Sequence, residues 1–284
     1  GGADDAAMLS DAKIFFRNLI DLAVAPAQDK VKTLAWKWPK NIAYSRFMVP
    51  MQGVLTTIPR SAALEGPNDH IASSLSGTAL MEMYMQKFDE TVDVASSKAK
   101  PKTVYLTTTC GTMIKFLCKQ EKNGDLRKDA RMMEFNTAVN RLFKDDAEAR
   151  RRNLKLRTYA VVCLNEECGI LEWVNNTSCL RHLIADAHTY NPTEYPVVNS
   201  REIYKPFTEL QVNSADNMGE LVRQYHGLIL DEYKPYFHRW FLENFPDPTA
   251  WFDARTTFTR SVAVWSVVGY LIGLGDRHTE NILI

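Results

Sequence analysis

The β-strand patterns of this chain are gathered in one part of the sequence, and this grouping constrains the fold more than any other feature. Residues 103–109 and 113–119 are rich in β-branched and apolar side chains and predict a hairpin. Residues 157–164 and 169–174 predict two further strands. Strands that cluster instead of alternating with helices indicate an α+β fold with an antiparallel sheet, and not a doubly wound parallel sheet.

Helical patterns flank the strands on both sides. Before the hairpin, the spacing of apolar residues predicts helices over 8–25, 28–36 and 79–91, with a loop rich in Ser, Pro and Gly over 56–79. Later helices are predicted over 125–143, 177–187, 216–230, 233–243 and 257–273. A helix start is also predicted at Asp247-Pro248, because Asp favours the N-cap and Pro the first helical position.

Composition excludes several classes of function. The 34 basic and 34 acidic residues balance, so no global field attracts nucleic acid or an anionic membrane. The five Cys include no C-x-x-C pair, which argues against a disulfide framework or a zinc site and favours a reducing compartment. The most apolar stretch, 262–274, is shorter than the roughly 20 residues of a membrane span and predicts a buried helix.

The last ten residues carry the strongest chemical signal. Asp276 and Asn281 are five residues apart, which is also the spacing between the Asp and Asn of a kinase catalytic loop. That spacing lets one loop direct a carboxylate at a substrate hydroxyl and an amide oxygen at Mg²⁺. Alone, the Asp276-Arg277-His278 run is weak evidence, because such residues more often form surface ion pairs.

Lys119 provides the context for that loop. It ends the second strand of the predicted hairpin and precedes a helix with carboxylates, which is how kinases hold the α- and β-phosphates of ATP. The hairpin turn, 107–111, has hydroxyl and backbone N–H groups suited to covering phosphates. The alternative interpretation of Lys119 is a solvated lysine at a strand end.

With these motifs together, the chain resembles the phosphatidylinositol 3-kinase-related protein kinases and, within them, the ATR-like checkpoint kinases. The resemblance extends from about residue 34 to 284, and its motifs occur in the family's order. The segments that carry it are 49–54, 125–136, 157–162, 168–177, 240–249 and 273–283.

The resemblance implies a bilobal kinase-like fold of the phosphatidylinositol 3- and 4-kinase type, with an antiparallel N-lobe sheet and a helical C-lobe. It implies that residues 1–48 are the C-terminal helices of a FAT-like helical region. Residues 49–172 would form the N-lobe with the hinge, and 173–284 part of the C-lobe, truncated after the catalytic loop.

Roles of individual residues also follow from the resemblance. Asp276 resembles the catalytic Asp that accepts the proton of the substrate hydroxyl, and His278 the residue that bonds the γ-phosphoryl oxygens. Asn281 resembles the Mg²⁺ ligand and Lys119 the phosphate-binding lysine. The remaining ATP-binding residues implied are Asp129 and Tyr159 in the inner pocket, Glu172, Trp173 and Val174 in the hinge, and Leu117 and Leu283 above and below the base.

Two departures from the family pattern stand out. Five residues separate Lys119 from Asp125, where the family has fewer, and Gly124 stands where relatives often carry an acid. Either Glu121 or Asp125 is therefore a candidate partner for Lys119. The chain also reaches Ile284 before any Asp-Phe-Gly, the motif that carries the main Mg²⁺-binding Asp, which predicts little activity for these residues alone.

The resemblance implies an ATP-dependent serine/threonine protein kinase of the DNA-damage checkpoint, with roles in DNA repair and the cell cycle, located in the nucleus. Its cofactors would be ATP and Mg²⁺, with Mn²⁺ as an alternative metal, and its substrates proteins with Ser-Gln or Thr-Gln sites. A regulatory protein of the ATR-interacting type would be a partner, with DNA contact indirect and no membrane contact. The alternatives are a lipid kinase of the same superfamily and a non-enzymatic pseudokinase scaffold.

Overall fold

A computed structural model describes residues 2–51, 83–97, 99–122, 124–190, 218–230 and 235–284, with a few isolated positions between 193 and 209. The loop predicted over 56–79 lies outside the described residues. The chain divides into two compact units, Gly1–Asn175 and Asn176–Ile284, and each is described by itself.

In its described residues, unit 1 is built on one antiparallel sheet of seven strands. The strands are β1 (Thr33–Ala35), β2 (Met85–Phe88), β3 (Thr91–Val94), β4 (Lys102–Thr108), β5 (Met113–Gln120), β6 (Val161–Cys163) and β7 (Cys168–Glu172). Their order across the sheet is β1-β3-β4-β5-β7-β6, and β2 also pairs with β4. The predicted hairpin is confirmed as β4 and β5, and the α+β fold with an antiparallel sheet is confirmed as well.

Helix α1 (Gly2–Val24) packs on β5 and β7, and its apolar residues complete the core of unit 1. Phe15 is 1% exposed and lies at the centre of an aromatic cluster. Its ring centroid is 5.4 Å from those of Tyr44 and Phe88 and 5.8 Å from that of Phe47. Burial of these large rings helps to hold α1 in the core of unit 1.

Helices α2 (Arg127–Asp145) and α3 (Ala147–Arg151) follow the hairpin, and α2 contacts β6. The packing depends on Gly169, which lies opposite Lys119 in the β5–β7 ladder. A Cβ atom added at Gly169 would lie 2.4 Å from the carbonyl oxygen of Val162 and 2.5 Å from Cδ2 of Leu126. The missing side chain therefore makes room for Leu126, which is fully buried one residue before α2 begins.

The two short helices predicted before the hairpin are wrong. The predicted helix over 28–36 is instead β1, in which Leu34 pairs with Val92 of β3. The described part of the predicted helix over 79–91 contains β2 and the start of β3. Bonds to neighbouring strands override the local preference here, because an exposed helix of this length is marginal without tertiary contacts.

Unit 2 is helical in its described part. Its helices are α4 (Leu180–Tyr190), α5 (Met218–Tyr225), which continues as a π-helical turn over His226–Leu230, α6 (Phe237–Asn244) and α7 (Pro248–Leu271). Asp247 caps α7 as predicted, since its carboxylate accepts a hydrogen bond from the backbone N–H of Ala250 at 2.9 Å. Helix α7 begins nine residues earlier than the predicted start at 257.

The prediction that 262–274 is a buried helix is only half correct. The segment is helical as far as Leu271, but Val267, Tyr270 and Leu271 are between 61% and 87% exposed. Val264 and Val268 are its buried positions, so α7 contributes one narrow stripe to the packing of unit 2. Among the described helices, none has the length and apolar character that crossing a membrane requires.

Gly169→Ala tests the close packing beneath α2. The added methyl group meets a backbone carbonyl that cannot move without breaking the β6–β7 ladder, so we expect a loss of about 1–3 kcal/mol of unfolding free energy. Thermal denaturation measures this loss. Gly2→Ala adds the same group where no atom lies within 4 Å and serves as the control. Equal melting temperatures for the two variants would contradict the packing.

Candidate functional site

Strand β5 presents Lys119 on the face of the sheet opposite to α1. Successive side chains of a strand point to opposite faces, so Lys115, Leu117 and Lys119 share one face while Phe116 and Cys118 are buried on the other. The Nζ atom of Lys119 forms a close ion pair with Glu121 and lies 3.4 Å from Oδ2 of Asp129. Its side chain is 22% exposed, so the ammonium group is screened from bulk water on most sides.

The two carboxylates keep Lys119 charged. Burial lowers the pKa of Lys119, but the hydrogen bond with Glu121 and the charges of Asp129 and Glu121 outweigh it, so the pKa lies above its ordinary value. Lys119 therefore carries a positive charge at neutral pH. That charge is what a lysine needs to bind the oxygens of a phosphate group.

Asp125 does not contact Lys119. Its carboxylate accepts hydrogen bonds from the backbone N–H of Arg127 at 3.0 Å and from Nε of the same residue at 2.8 Å. Of the two candidate partners, the structure thus places Glu121 on Lys119 and Asp125 on Arg127. The longer turn between β5 and α2 makes this possible, because Glu121 is two residues beyond Lys119 and follows the same face of the strand.

The turn between β6 and β7 holds that longer turn in place. The backbone N–H of Glu121 donates to the carbonyl of Glu167 at 2.8 Å, and that of Leu126 to the carbonyl of Glu166 at 2.8 Å. Asn165 in turn organises the supporting turn, since its Oδ1 accepts from the backbone N–H groups of Glu167 and Cys168. The turn between β5 and α2 is therefore held at both ends, which fixes the position of Asp129 in the first turn of α2.

Most backbone N–H groups at the tip of the β4–β5 hairpin are already bonded to other groups of the protein. The backbone N–H groups of Thr108, Thr109 and Gly111 bond to carbonyls of Thr112, Tyr84 and Thr108. The N–H of Thr112 donates to Oγ1 of Thr108 at 3.1 Å. The expectation that backbone N–H groups at 107–111 cover phosphates therefore applies to few of them in this conformation.

The predicted hinge begins at Glu172, the last residue of β7, and continues through Trp173 and Val174. The N–H groups of Glu172 and Trp173 donate to the carbonyls of Ala160 at 2.8 Å and Lys115 at 3.2 Å. Both N–H groups are therefore already bonded within unit 1. The Glu172 carboxylate also accepts the N–H of Ala160 at 2.9 Å. Contact of this hinge with a base would thus use other backbone groups.

Side chains around the hinge combine an aromatic and an apolar surface. Trp173 is 39% exposed, and Nζ of Lys115 lies 6.0 Å from its ring centroid, in cation–π range. Leu117 and Val174 are half-buried. Tyr159 is half-buried in the segment that leads into β6, and its role near Lys119 stays a prediction.

The second group of predicted residues lies in unit 2, directly after α7. Gly273 has φ +64°, and its N–H donates to the carbonyl of Tyr270 while that of Leu274 donates to Gly269 at 2.8 Å. This pair of bonds is a Schellman motif, which ends the helix and turns the chain at a residue where glycine is favoured. The loop that carries Asp276 therefore leaves α7 in a defined direction.

Asn281 holds the catalytic-loop candidate Asp276 in place. Its Nδ2 donates to the carbonyl oxygen of Asp276 at 2.7 Å and to the carboxylate Oδ2 of the same residue at 3.2 Å. Asp276 has φ +56°, a conformation that non-glycine residues rarely adopt and that such bonds support. Its side chain is 80% exposed, so the carboxylate is open to a substrate group.

The ring of His278 is oriented by its own loop. Nδ1 accepts a hydrogen bond from the backbone N–H of Glu280 at 3.2 Å, so the proton of the neutral ring belongs on Nε2. Nε2 lies 3.7 Å from Oδ1 of Asp276. His278 thus presents an N–H donor beside that carboxylate.

The residues after this loop are tied to the start of α4. Cys179 and Leu283 form an antiparallel bridge, in which Ser178 and Ile284 exchange two backbone hydrogen bonds of 2.9 and 3.1 Å. Leu283 is 58% exposed. In the part of the chain that the structure describes, no group of three or more His, Cys, Asp or Glu side chains is placed to hold a metal ion.

Glu121→Gln tests the charge balance at Lys119. The substitution removes one of the two negative charges that offset the effect of burial, so we expect the pKa of Lys119 to fall. Asp129 remains and limits that fall. The pH dependence of Lys119 acetylation, followed by peptide mass spectrometry, measures that pKa. Glu167→Gln, at a carboxylate that bonds Gln120, is the control. An unchanged titration of Lys119 in Glu121→Gln would show that this ion pair does not form.

Known proteins similar to this chain indicate its family. A family model described as phosphatidylinositol 3- and 4-kinase matches residues 114–284. The chain is 43% identical over 69% of its length to protein kinase rad3 of Schizosaccharomyces pombe. It is 37% identical over 83% of its length to the serine/threonine-protein kinase ATR of Arabidopsis thaliana. It spans 8% of the length of each of these relatives.

A solved structure shows the same fold. The FAT and kinase domain of CtTel1 matches 98% of this chain with a TM-score of 0.72 and 28% identity, and the match covers 19% of that chain. The family model covers more than half of the sequence and includes both Lys119 and the loop from Asp276 to Asn281. The chain therefore belongs to the phosphatidylinositol 3- and 4-kinase family.

Proposed function

We propose that this chain is the ATP-binding and catalytic part of a serine/threonine protein kinase. The observation that carries the proposal is the bonding of Asn281 to both the carbonyl and the carboxylate of Asp276. One loop thereby presents a carboxylate and an amide at the spacing of a kinase catalytic loop. The likeness to relatives named protein kinases supports the choice of protein over lipid as substrate.

In this proposal, Lys119 binds the α- and β-phosphates of ATP. Its two carboxylate partners keep it charged and hold its Nζ in place until phosphate oxygens take over some of those bonds. Leu117 and Trp173 provide the surfaces against which the base packs. The likeness to the kinase family adds Leu283 to the ATP-binding residues. Asp129, Tyr159, Glu172 and Val174 complete the ATP-binding set.

Asp276 accepts the proton of the substrate hydroxyl as that oxygen attacks the γ-phosphorus. The side chain of Asp276 is 80% exposed, which leaves its carboxylate open to receive that proton. His278 donates from Nε2 to the γ-phosphoryl oxygens as charge develops on them, and the bond from Glu280 to Nδ1 keeps the donor in the required tautomer. Catalysis thus depends on positioning and electrostatics.

Mg²⁺ fits the residues present as a metal held mainly by substrate. Asn281 donates through Nδ2, so its amide oxygen is the atom that would coordinate the ion. Mg²⁺ ordinarily takes one or two protein carboxylates together with phosphates and water, and Asn281 would add an amide oxygen to such a set. When bound, the ion neutralises charge on the phosphate oxygens. Mn²⁺ would use the same ligand.

The finer function follows the likeness to ATR and rad3. We propose that the full-length protein acts in the DNA-damage checkpoint in the nucleus. It would phosphorylate Ser-Gln and Thr-Gln sites, bind a regulatory protein of the ATR-interacting type, and contact DNA indirectly.

Asp276→Asn in the full-length protein tests the catalytic assignment. Without the proton acceptor, phosphate transfer from ATP to a Ser-Gln peptide should fall by at least about a hundredfold. Asp253→Asn, at an exposed aspartate of α7, should transfer phosphate at the unmodified rate. Equal rates for Asp276→Asn and the unmodified protein would contradict the role of Asp276.

The choice of substrate separates the alternatives. A Ser-Gln peptide should be phosphorylated at least about tenfold faster than the matched Ser-Ala peptide, since a site that bonds the Gln amide loses that bond in the analogue. Transfer to phosphatidylinositol vesicles in place of either peptide would show a lipid kinase. No transfer to any of the three would show a scaffold.

A further inference from the structure

A buried lysine outside the proposed site joins α1 to the sheet. Lys102, the first residue of β4, is 3% exposed. Its Nζ donates to the carbonyl oxygens of Ala23 at 2.9 Å and Ala25 at 2.7 Å. Burial lowers the pKa of Lys102, because its charged form loses hydration. These two long-range hydrogen bonds compensate part of that loss.

The C-terminal end of α1 is bonded by a cation that comes from another element of the fold. The last turn of α1 contains no basic residue, and the carbonyls at a helix end carry a partial negative charge. The ammonium group of Lys102 satisfies two of these carbonyls from the neighbouring strand. The end of α1 and the start of β4 are therefore mutually dependent.

The residue opposite Lys102 bonds the same helix. In the β4–β5 ladder Lys102 pairs with Cys118, whose buried Sγ donates to the carbonyl of Leu19 at 3.3 Å. Both members of one cross-strand pair thus bond the last turns of α1. Lys119 is the next residue of β5 and points to the opposite face, so the strand beneath Lys119 is fixed to α1 at that position.

We infer that Lys102 is a positioning residue for the nucleotide site, because it anchors the C-terminal end of α1 to the strand pair that presents Lys119. The inference rests on the proposed function and deepens it. Displacement of α1 is transmitted through Lys102 and Cys118 to β5, and so to the distance between Lys119 and the phosphates.

Lys102→Met in the full-length protein tests the anchor, since Met keeps the apolar stem and removes the donors. Hydrogen–deuterium exchange of residues 19–25 should become about tenfold faster, because local opening no longer breaks the Lys102 bonds. The KM for ATP should rise roughly tenfold, with the KM for the peptide unchanged, because a small misplacement of a binding group is costly. Lys100→Met is the matched control, since Lys100 bonds Ala27 and Asp29 beyond the end of α1.

Each outcome decides the inference. If folded Lys102→Met exchanges residues 19–25 as slowly as the unmodified protein, or has an unchanged KM for ATP, the inference is overturned. It is also overturned if Lys100→Met changes the exchange rate and the KM for ATP as much as Lys102→Met does. If Lys102→Met does not fold, Cys118→Ala removes the second bond, and the same two measurements decide in the same way. Absence of ATP turnover in the unmodified protein would overturn the proposed function and the positioning role together. The exchange rates would still show whether Lys102 anchors α1.

Discussion

Strand β5 has two faces with opposite requirements, and the rest of unit 1 is arranged to satisfy both. Ile114, Phe116 and Cys118 are at most 5% exposed and pack toward α1, while Lys119 must stay charged on the other side. The strand is paired along both edges, by β4 and β7. A shift of its register by one residue would therefore bury Lys119 and expose the ring of Phe116. Gly169 then admits Leu126, which sets the start of α2 and with it Asp129.

Sequence patterns predicted the parts of the fold in which local and tertiary preferences agree. The β4–β5 hairpin, α2 and the cap of α7 at Asp247 are such parts. The short strands β1 and β2 were mistaken for helices, although the alternation of Leu34, Trp36 and Trp38 has the period of a strand. Their stability comes from strands that are distant in sequence, and a prediction from neighbouring residues does not include those strands.

The candidate site shows a similar division. Residue type and spacing singled out Lys119, Asp276 and Asn281, because a kinase catalytic loop also separates its Asp from its Asn by five residues. Their roles stay predictions. The choice of Glu121 over Asp125 depended on where the longer turn places each carboxylate. The hydrogen bonds that Glu121 and Leu126 donate to the carbonyls of Glu167 and Glu166 decide that placement. The bonding of N–H groups at the hairpin tip and in the hinge is likewise set by tertiary structure, since sequence does not show which donors are already bonded.

The central claim is that the lysine held by Glu121 and Asp129 binds the phosphates of ATP. An acyl-phosphate derivative of ATP transfers its acyl group to a lysine amine beside the phosphates, and peptide mass spectrometry of the full-length protein identifies that lysine. We predict acylation of Lys119 that excess ATP suppresses. Acylation of Lys115 or Lys122 with Lys119 unmodified, or acylation of Lys119 that ATP does not suppress, would contradict it.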